Sequence, residues 1–147
     1  MQIWVDADAC PVKDETYKVA VRHGVEVVVV SNSFIRVPPS PRIKLVIVDA
    51  GPDVADDYIA ERACSQSVVI TADILLAERC LKTKATVLSP TGSLFSEDTI
   101  GSAVATRALL DQLRGSGEWT GGAAPFSAKD RSNCLQTLHE AVVRLKP

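Results

Sequence analysis

The sequence is poor in the side chains that usually announce a cofactor, a metal centre or a nucleic-acid platform. Two Trp, two Tyr and three Phe among 147 residues leave Trp4, Phe34, Trp119 and Phe126 as the options for stacking on a base. His23 and His139 are the only histidines, and Cys10, Cys64, Cys80 and Cys134 stand far apart with no C-x-x-C pair. A structural zinc site wants clustered Cys and His ligands, so this class is excluded. No apolar run approaches the ~20 residues of a membrane span. The first such run, Ile3 to Val5, is broken at once by Asp6, and no secretory leader is read there. Reduced thiols in a cytoplasmic protein are the expectation. A net charge of -2 gives no basic excess, so a nucleic-acid partner would need a local patch. Repeats, heptads and low-complexity tracts are absent.

What is present is an ordinary globular balance, 46% hydrophobic and 23% charged, over a length that suits one domain spanning 1–147. Short β-rich runs alternate with helical patterns. Ile3 to Val5 reads as a strand ending at Asp6, followed by a helix from about Pro11 to His23 that Gly24 stops. Val25 to Val30 is too apolar to alternate and reads as a strand buried on both faces. Pro38, Pro39 and Pro41 make Ser31 to Arg42 a loop. Further strands are read at Ile43 to Val48, Ser67 to Thr71 and Thr86 to Leu88. Helices are read from Gly51-Pro52-Asp53 onward, from Asp73 to Thr83, from about Asp98 to Arg114 and from Ser127 to about Leu145. Ser127 and Asp130 have capping-box spacing, with Asp in place of the usual Glu or Gln. Gly115 to Pro125, with four glycines, is expected to be mobile. Strand–helix alternation implies parallel strands and right-handed crossovers. The fold class is α/β: helices flanking a central, mainly parallel sheet of about five strands.

In such sheets the ligand crevice lies beyond the carboxyl ends of the strands. Asp6, Asp8, Asp49, Asp53, Asp56, Asp57 and Asp73 all follow strand ends. Massed carboxylates repel one another unless a cation or a shared proton compensates, and an all-oxygen set suits Mg²⁺ or Mn²⁺. Bland roles compete. Asp53 and Asp73 stand where a helix N-cap would, and Asp56 and Asp57 stand in a first turn, where the helix dipole favours acids. Asp6 and Asp8, straddling one alanine after a buried strand, gain little as caps. At 100° per residue, Ala55, Ile59 and Ala63 define a buried helix face that Asp56 flanks and Asp57 leaves.

Val5-Asp6-Ala7-Asp8-Ala9-Cys10-Pro11-Val12-Lys13, Gly51-Pro52-Asp53-Val54-Ala55-Asp56-Asp57-Tyr58-Ile59 and Thr71-Ala72-Asp73-Ile74-Leu75-Leu76-Ala77 resemble the bacterial YaiI/YqxD family. Thr120-Gly121-Gly122 and Pro125-Phe126-Ser127 with Asp130-Arg131 extend the likeness over almost the whole chain. That family is similar in turn to the PIN-like and flap-nuclease superfamily, which implies a PIN-like three-layer sandwich. By position, the resemblance implies Asp6, Asp56, Asp57 and Asp73 as ligands of Mg²⁺ or Mn²⁺, with Asp8 as a local addition, and Asp6, Asp8, Asp56 and Asp73 as catalytic residues. The implied activity is hydrolysis of RNA or single-stranded nucleic acid. For such an activity the basic side chains Lys13, Arg36, Arg107, Lys129 and Arg131 are the candidate phosphate contacts, and the glycine-containing segment 120–131 is the candidate lid. Two positions depart from the flap-nuclease pattern: Leu75 and Val54 stand where those enzymes carry acids.

Two other readings compete. A phosphatase of the haloacid-dehalogenase kind would use Asp6 and Asp8 as nucleophile and acid/base, but it wants a later lysine and another acidic pair at a strand end, and no acidic pair stands at a strand end after Asp73. A non-catalytic nucleic-acid- or protein-binding module of the same fold is favoured by Leu75. Cys10 precedes Pro11 at a helix start, where thiol pKa values fall. A cysteine phosphatase would place an arginine six residues on, at Thr16, so Cys10 is read as structural or as shaping the loop near the site. A homo-oligomer is compatible with all of this.

Overall fold

The computed structural model describes residues 1–7, 12–51, 54–97, 100–101 and 127–145. Its elements, in chain order, are β1 (Gln2–Asp6), α1 (Lys13–His23), β2 (Glu26–Ser31), β3 (Ile43–Ile47), α2 (Val54–Arg62), β4 (Ser67–Ile70), α3 (Ile74–Lys82), β5 (Thr86–Leu88) and α4 (Ala128–Leu145). The five strands form one sheet in the order β3-β2-β1-β4-β5. Every strand pairing in it is parallel. Most of the helix expected from Asp98 to Arg114 and the glycine-rich stretch after it lie outside the described residues.

Side-chain alternation along the strands makes two cores. Ile3, Val5, Val27, Val29, Val68 and Ile70 face one way and meet Tyr17, Val19 and Ala20 of α1 and Cys134, Leu138 and Val142 of α4. Trp4, Val28, Val30, Val69 and Val87 face the other way and meet Ala55 and Ile59 of α2 and Leu76, Ala77, Cys80 and Leu81 of α3. The result is three layers, with α1 and α4 on one side of the sheet and α2 and α3 on the other. Five of the six residues of β2 are buried, as its run of valines requires.

Local chemistry sets the helix ends. Gly24 adopts φ +66, and the amides around it return to the Ala20 and Val21 carbonyls, ending α1. Asp73 caps α3 by accepting from the Leu75 and Leu76 amides. At α4 the Ser127 amide donates to Asp130 Oδ2 at 3.0 Å while the Asp130 amide donates to Ser127 Oγ at 3.2 Å. The reciprocal box forms with aspartate as its second member. No described helix is long and apolar enough to cross a membrane.

Cys80, fully buried between α3 and the sheet, gives the fold an alkaline weakness. Burial pushes its thiol up from 9.0 to about 11. Between these two pH values the folded chain keeps a proton that the unfolded chain releases, so stability falls as pH rises, at up to about 1.4 kcal/mol per pH unit. Urea denaturation at pH 8, 9 and 10 is expected to show a shallower decline in Cys80→Ala than in wild type.

Candidate functional site

The strand order places a topological switch between β1 and β4. The chain winds outward from β1 through β2 to β3, then crosses to the far side of β1 to begin β4. Neighbouring strands that lead away in opposite directions leave a crevice beyond their carboxyl ends. Asp6 is the last residue of β1, and Thr71 directly follows β4. Val5 is in register with Ile70, so the next residue on each strand, Asp6 and Thr71, stand side by side at the mouth of the crevice. They are 6% and 1% exposed. Asp6 shares its sheet face with Trp4, and so points towards the α2 and α3 layer.

One hydroxyl joins two of the acids. Thr71 Oγ1 donates to Asp6 Oδ2 at 3.0 Å and accepts from the Asp73 amide at 3.0 Å. The Asp73 carboxylate turns to α3, with Oδ1 accepting from Leu75 N at 2.9 Å and Leu76 N at 3.3 Å. Thr71 thus fixes a buried carboxylate and the turn behind it together. Thr71→Val would remove the donor and the acceptor at once, and is expected to cost about 1–3 kcal/mol. Thr71→Ser should recover most of this in urea denaturation.

On α2 the two acids part company as the helical period requires. Ala55 and Ile59 are buried, Asp56 beside them is half-buried, and Asp57 is exposed. Asp57 Oδ1 accepts from Arg79 Nη1 at 2.6 Å, tying α2 to α3. That hydrogen bond, reinforced by the charges of Asp57 and Asp56, holds the guanidinium pKa above its ordinary value. Both partners are open to solvent, so the pair is worth ~0–1 kcal/mol. Asp57 is therefore engaged at the surface, while Asp56 flanks the buried face.

Three of the cations predicted to touch substrate, Lys13, Lys129 and Arg131, lie in the first turns of helices that start at the carboxyl edge. Arg131 of α4 reaches Glu15 in the first turn of α1 at 3.5 Å, and His139 of α4 meets His23 at the end of α1 at 2.9 Å. The two helices consequently run parallel, and both start at the carboxyl edge. Lys13 opens α1, Lys129 lies in the first turn of α4, and Arg36 is exposed on the loop after β2. Arg131 is held by Glu15. All four described helices begin at this edge, so their positive dipole ends face it, which favours acids and phosphates alike.

Asp8, Arg107 and all of the expected lid before Ser127 lie outside the described residues, as do Asp53 and Cys10. Among the described residues, no group of three or more His, Cys, Asp and Glu side chains is placed to hold a metal ion. Asp6 and Asp73 are linked through Thr71, Asp56 stands on the neighbouring layer, and Asp49 is exposed after β3. Sequence reasoning missed Arg79 and the linking role of Thr71. The T-x-D spacing held the signal for Thr71. Arg79 becomes visible only once α2 and α3 are packed together.

No solved structure matches the chain. The family described as "Uncharacterized BCR, YaiI/YqxD family" matches residues 4–144. A "UPF0178 protein" of Sphingopyxis alaskensis is 58% identical over 145 residues, covering 98% of this chain and 94% of that one. A "UPF0178 protein" of Caulobacter vibrioides is 56% identical over 144 residues, with coverage of 98% and 94%. One from Nitrobacter winogradskyi is 51% identical over 146 residues, with coverage of 99% and 93%. Matched along nearly its whole length and at more than half identity to these relatives, the chain belongs to the YaiI/YqxD family.

Proposed function

We propose that the protein is a Mg²⁺- or Mn²⁺-dependent phosphodiesterase of PIN-like type, acting on RNA or single-stranded nucleic acid at the β1/β4 crevice. The observation that carries this reading is the Asp6 carboxylate. It is buried at the switch point, held by a donated hydrogen bond from Thr71, and turned towards the layer that bears Asp56.

The donor set fits a hard cation bound lightly. Mg²⁺ takes one or two protein carboxylates and keeps water and phosphate oxygens as its other ligands. Asp6, with Asp73 or Asp56, would supply those carboxylates, and Asp8 is a further candidate by sequence. Such an ion, when bound, would neutralise phosphate charge and lower the pKa of a water. The chain's own residues then have distinct tasks. Thr71 orients Asp6. The helix N-termini at the edge draw phosphate. Lys13, Arg36 and Lys129 contact phosphates on either side of the scissile one. Asp57, held by Arg79, braces α2 against α3.

A second reading, a non-catalytic nucleic-acid-binding module, is favoured by the employment of Asp73 as a helix cap and of Asp57 in an ion pair. Cleavage of labelled RNA and single-stranded DNA, with Mn²⁺ and with EDTA, separates the two. Metal-dependent products that decline in Asp73→Asn support the phosphodiesterase. Binding without products at any metal concentration supports the module.

A further inference from the structure

Trp4 and Phe34 were both open as stacking partners, and the fold divides them. Trp4 is 5% exposed beneath α2, whereas Phe34 is 78% exposed. Phe34 stands three residues beyond the end of β2, the strand beside β1. Val30 is in register with Asp6. With strands ~4.8 Å apart and at most ~3.6 Å per residue, the Phe34 backbone lies within about 20 Å of Asp6.

The loop that carries it is built to present it. Burial alternates along the segment: Phe34 and Arg36 are exposed, while Ile35 and Val37 are half-buried and pack against the core under α1 and α4. Phe34 and Arg36 therefore share one outward side of an anchored segment. Its start is tied by the Ser33 amide donating to Ser31 Oγ at 3.2 Å. Its end is tied by the Ser40 amide donating to the Pro38 carbonyl at 2.8 Å and by Arg42 Nη1 donating to the Gly24 carbonyl at 2.8 Å. Three prolines stiffen the span between. A ring held in water on a pinned loop loses little entropy when something stacks on it.

We propose that Phe34 and Arg36 form a docking arm for an unpaired nucleotide, the Phe34 ring stacking on the base and the Arg36 guanidinium pairing with the adjacent phosphate. The ligand class rests on the nucleic-acid reading above. The spacing supports it: a planar apolar face and a cation two residues apart, on one side, match the alternation of base and phosphate in a single strand. Charge supports it as well. Arg36 is exposed and among the described residues no carboxylate is paired with it, so its charge is available to a phosphate. An arm beyond the crevice adds a stacking face for a base to the phosphate attraction of the helix N-termini. A base within a duplex has no free face to offer, so the arm selects single strands.

The test is the affinity of the full chain for fluorescein-labelled oligodeoxythymidine, oligouridine and a blunt DNA duplex, read by anisotropy with Ca²⁺ in place of Mn²⁺. Phe34→Ala should weaken binding to both single strands by roughly ten-fold or more, with duplex binding and the thermal midpoint unchanged. Phe34→Tyr should stay near wild type. Arg36→Ala should reduce the salt dependence of single-strand binding by about one phosphate's share. Emission of a Phe34→Trp variant should be quenched by the single strands and not by the duplex. The arm is overturned if Phe34→Ala binds single strands as wild type does, if it loses duplex binding equally, or if the new tryptophan is unmoved at saturation. Predicted binding without any Mn²⁺-dependent cleavage would sink the phosphodiesterase and leave the arm standing. Asp6-dependent cleavage that is indifferent to Phe34 would do the reverse.

Discussion

Asp6→Asn is expected to lower Mn²⁺-dependent cleavage by at least ~100-fold while leaving the fold intact. Loss of a residue one shell removed from a metal typically costs 10- to 100-fold, and a direct ligand costs no less. The substitution is nearly isosteric. An asparagine Oδ1 can accept from Thr71 Oγ1 as the carboxylate oxygen does. It removes the charge from a site that is 6% exposed, so stability should hold or rise slightly. The pattern that identifies a ligand is a large loss in kcat with an unchanged urea midpoint. A parallel fall in stability and rate would instead mark Asp6 as a structural residue. Asp57→Asn is the counterpart. Its partner is Arg79 on the surface, and a change of only a few-fold is expected.

Gly92→Ala is expected to destabilise the protein by about 3 kcal/mol, a shift of roughly 10 °C in Tm. Two independent penalties combine there. Gly92 has φ +92, where a side chain is strained. A Cβ at that position would lie 2.5 Å from the Asn133 carbonyl carbon, 2.7 Å from its oxygen and 2.7 Å from Cys134 N. These are backbone atoms of α4 and cannot swing aside. The same contact is fastened by Thr137 Oγ1, which donates to the Gly92 carbonyl at 2.8 Å. Relieving the clash would push the turn after β5 off α4, the helix that places Lys129 at the edge. Thermal melts of wild type, Gly92→Ala and Thr137→Val, the last expected to lose only about 1 kcal/mol, would separate the steric effect from the hydrogen bond.

These two positions show where sequence reading reaches and where it stops. The valine run of β2, the Gly24 stop, the Ser127–Asp130 box and the different exposures of Asp56 and Asp57 were all legible, because each depends on a local period or on a cap of a few residues. Thr71 was visible only as part of a T-x-D string. Its bond to Asp6 spans 65 positions and needs β1 and β4 to be neighbours, a matter of strand order rather than strand pattern. Arg79 and Gly92 are products of packing: a surface arginine and an ordinary turn glycine until α2 meets α3 and the turn after β5 meets α4. Phe34 is the converse case. Composition left it beside Trp4 as one of four stacking options, and the alternation of Ile35 and Val37 into the core is what turns it outward.

The carboxylates at the β1/β4 crevice are expected to hold a divalent ion. The most direct measurement is calorimetric titration of Mn²⁺ into the wild-type chain and into Asp6→Asn at pH 7. The expected result is a saturable site with a Kd of about 0.1–1 mM, weakened at least ~10-fold by the substitution. Absence of binding up to about ten times that range, or equal affinity in the two proteins, would contradict it.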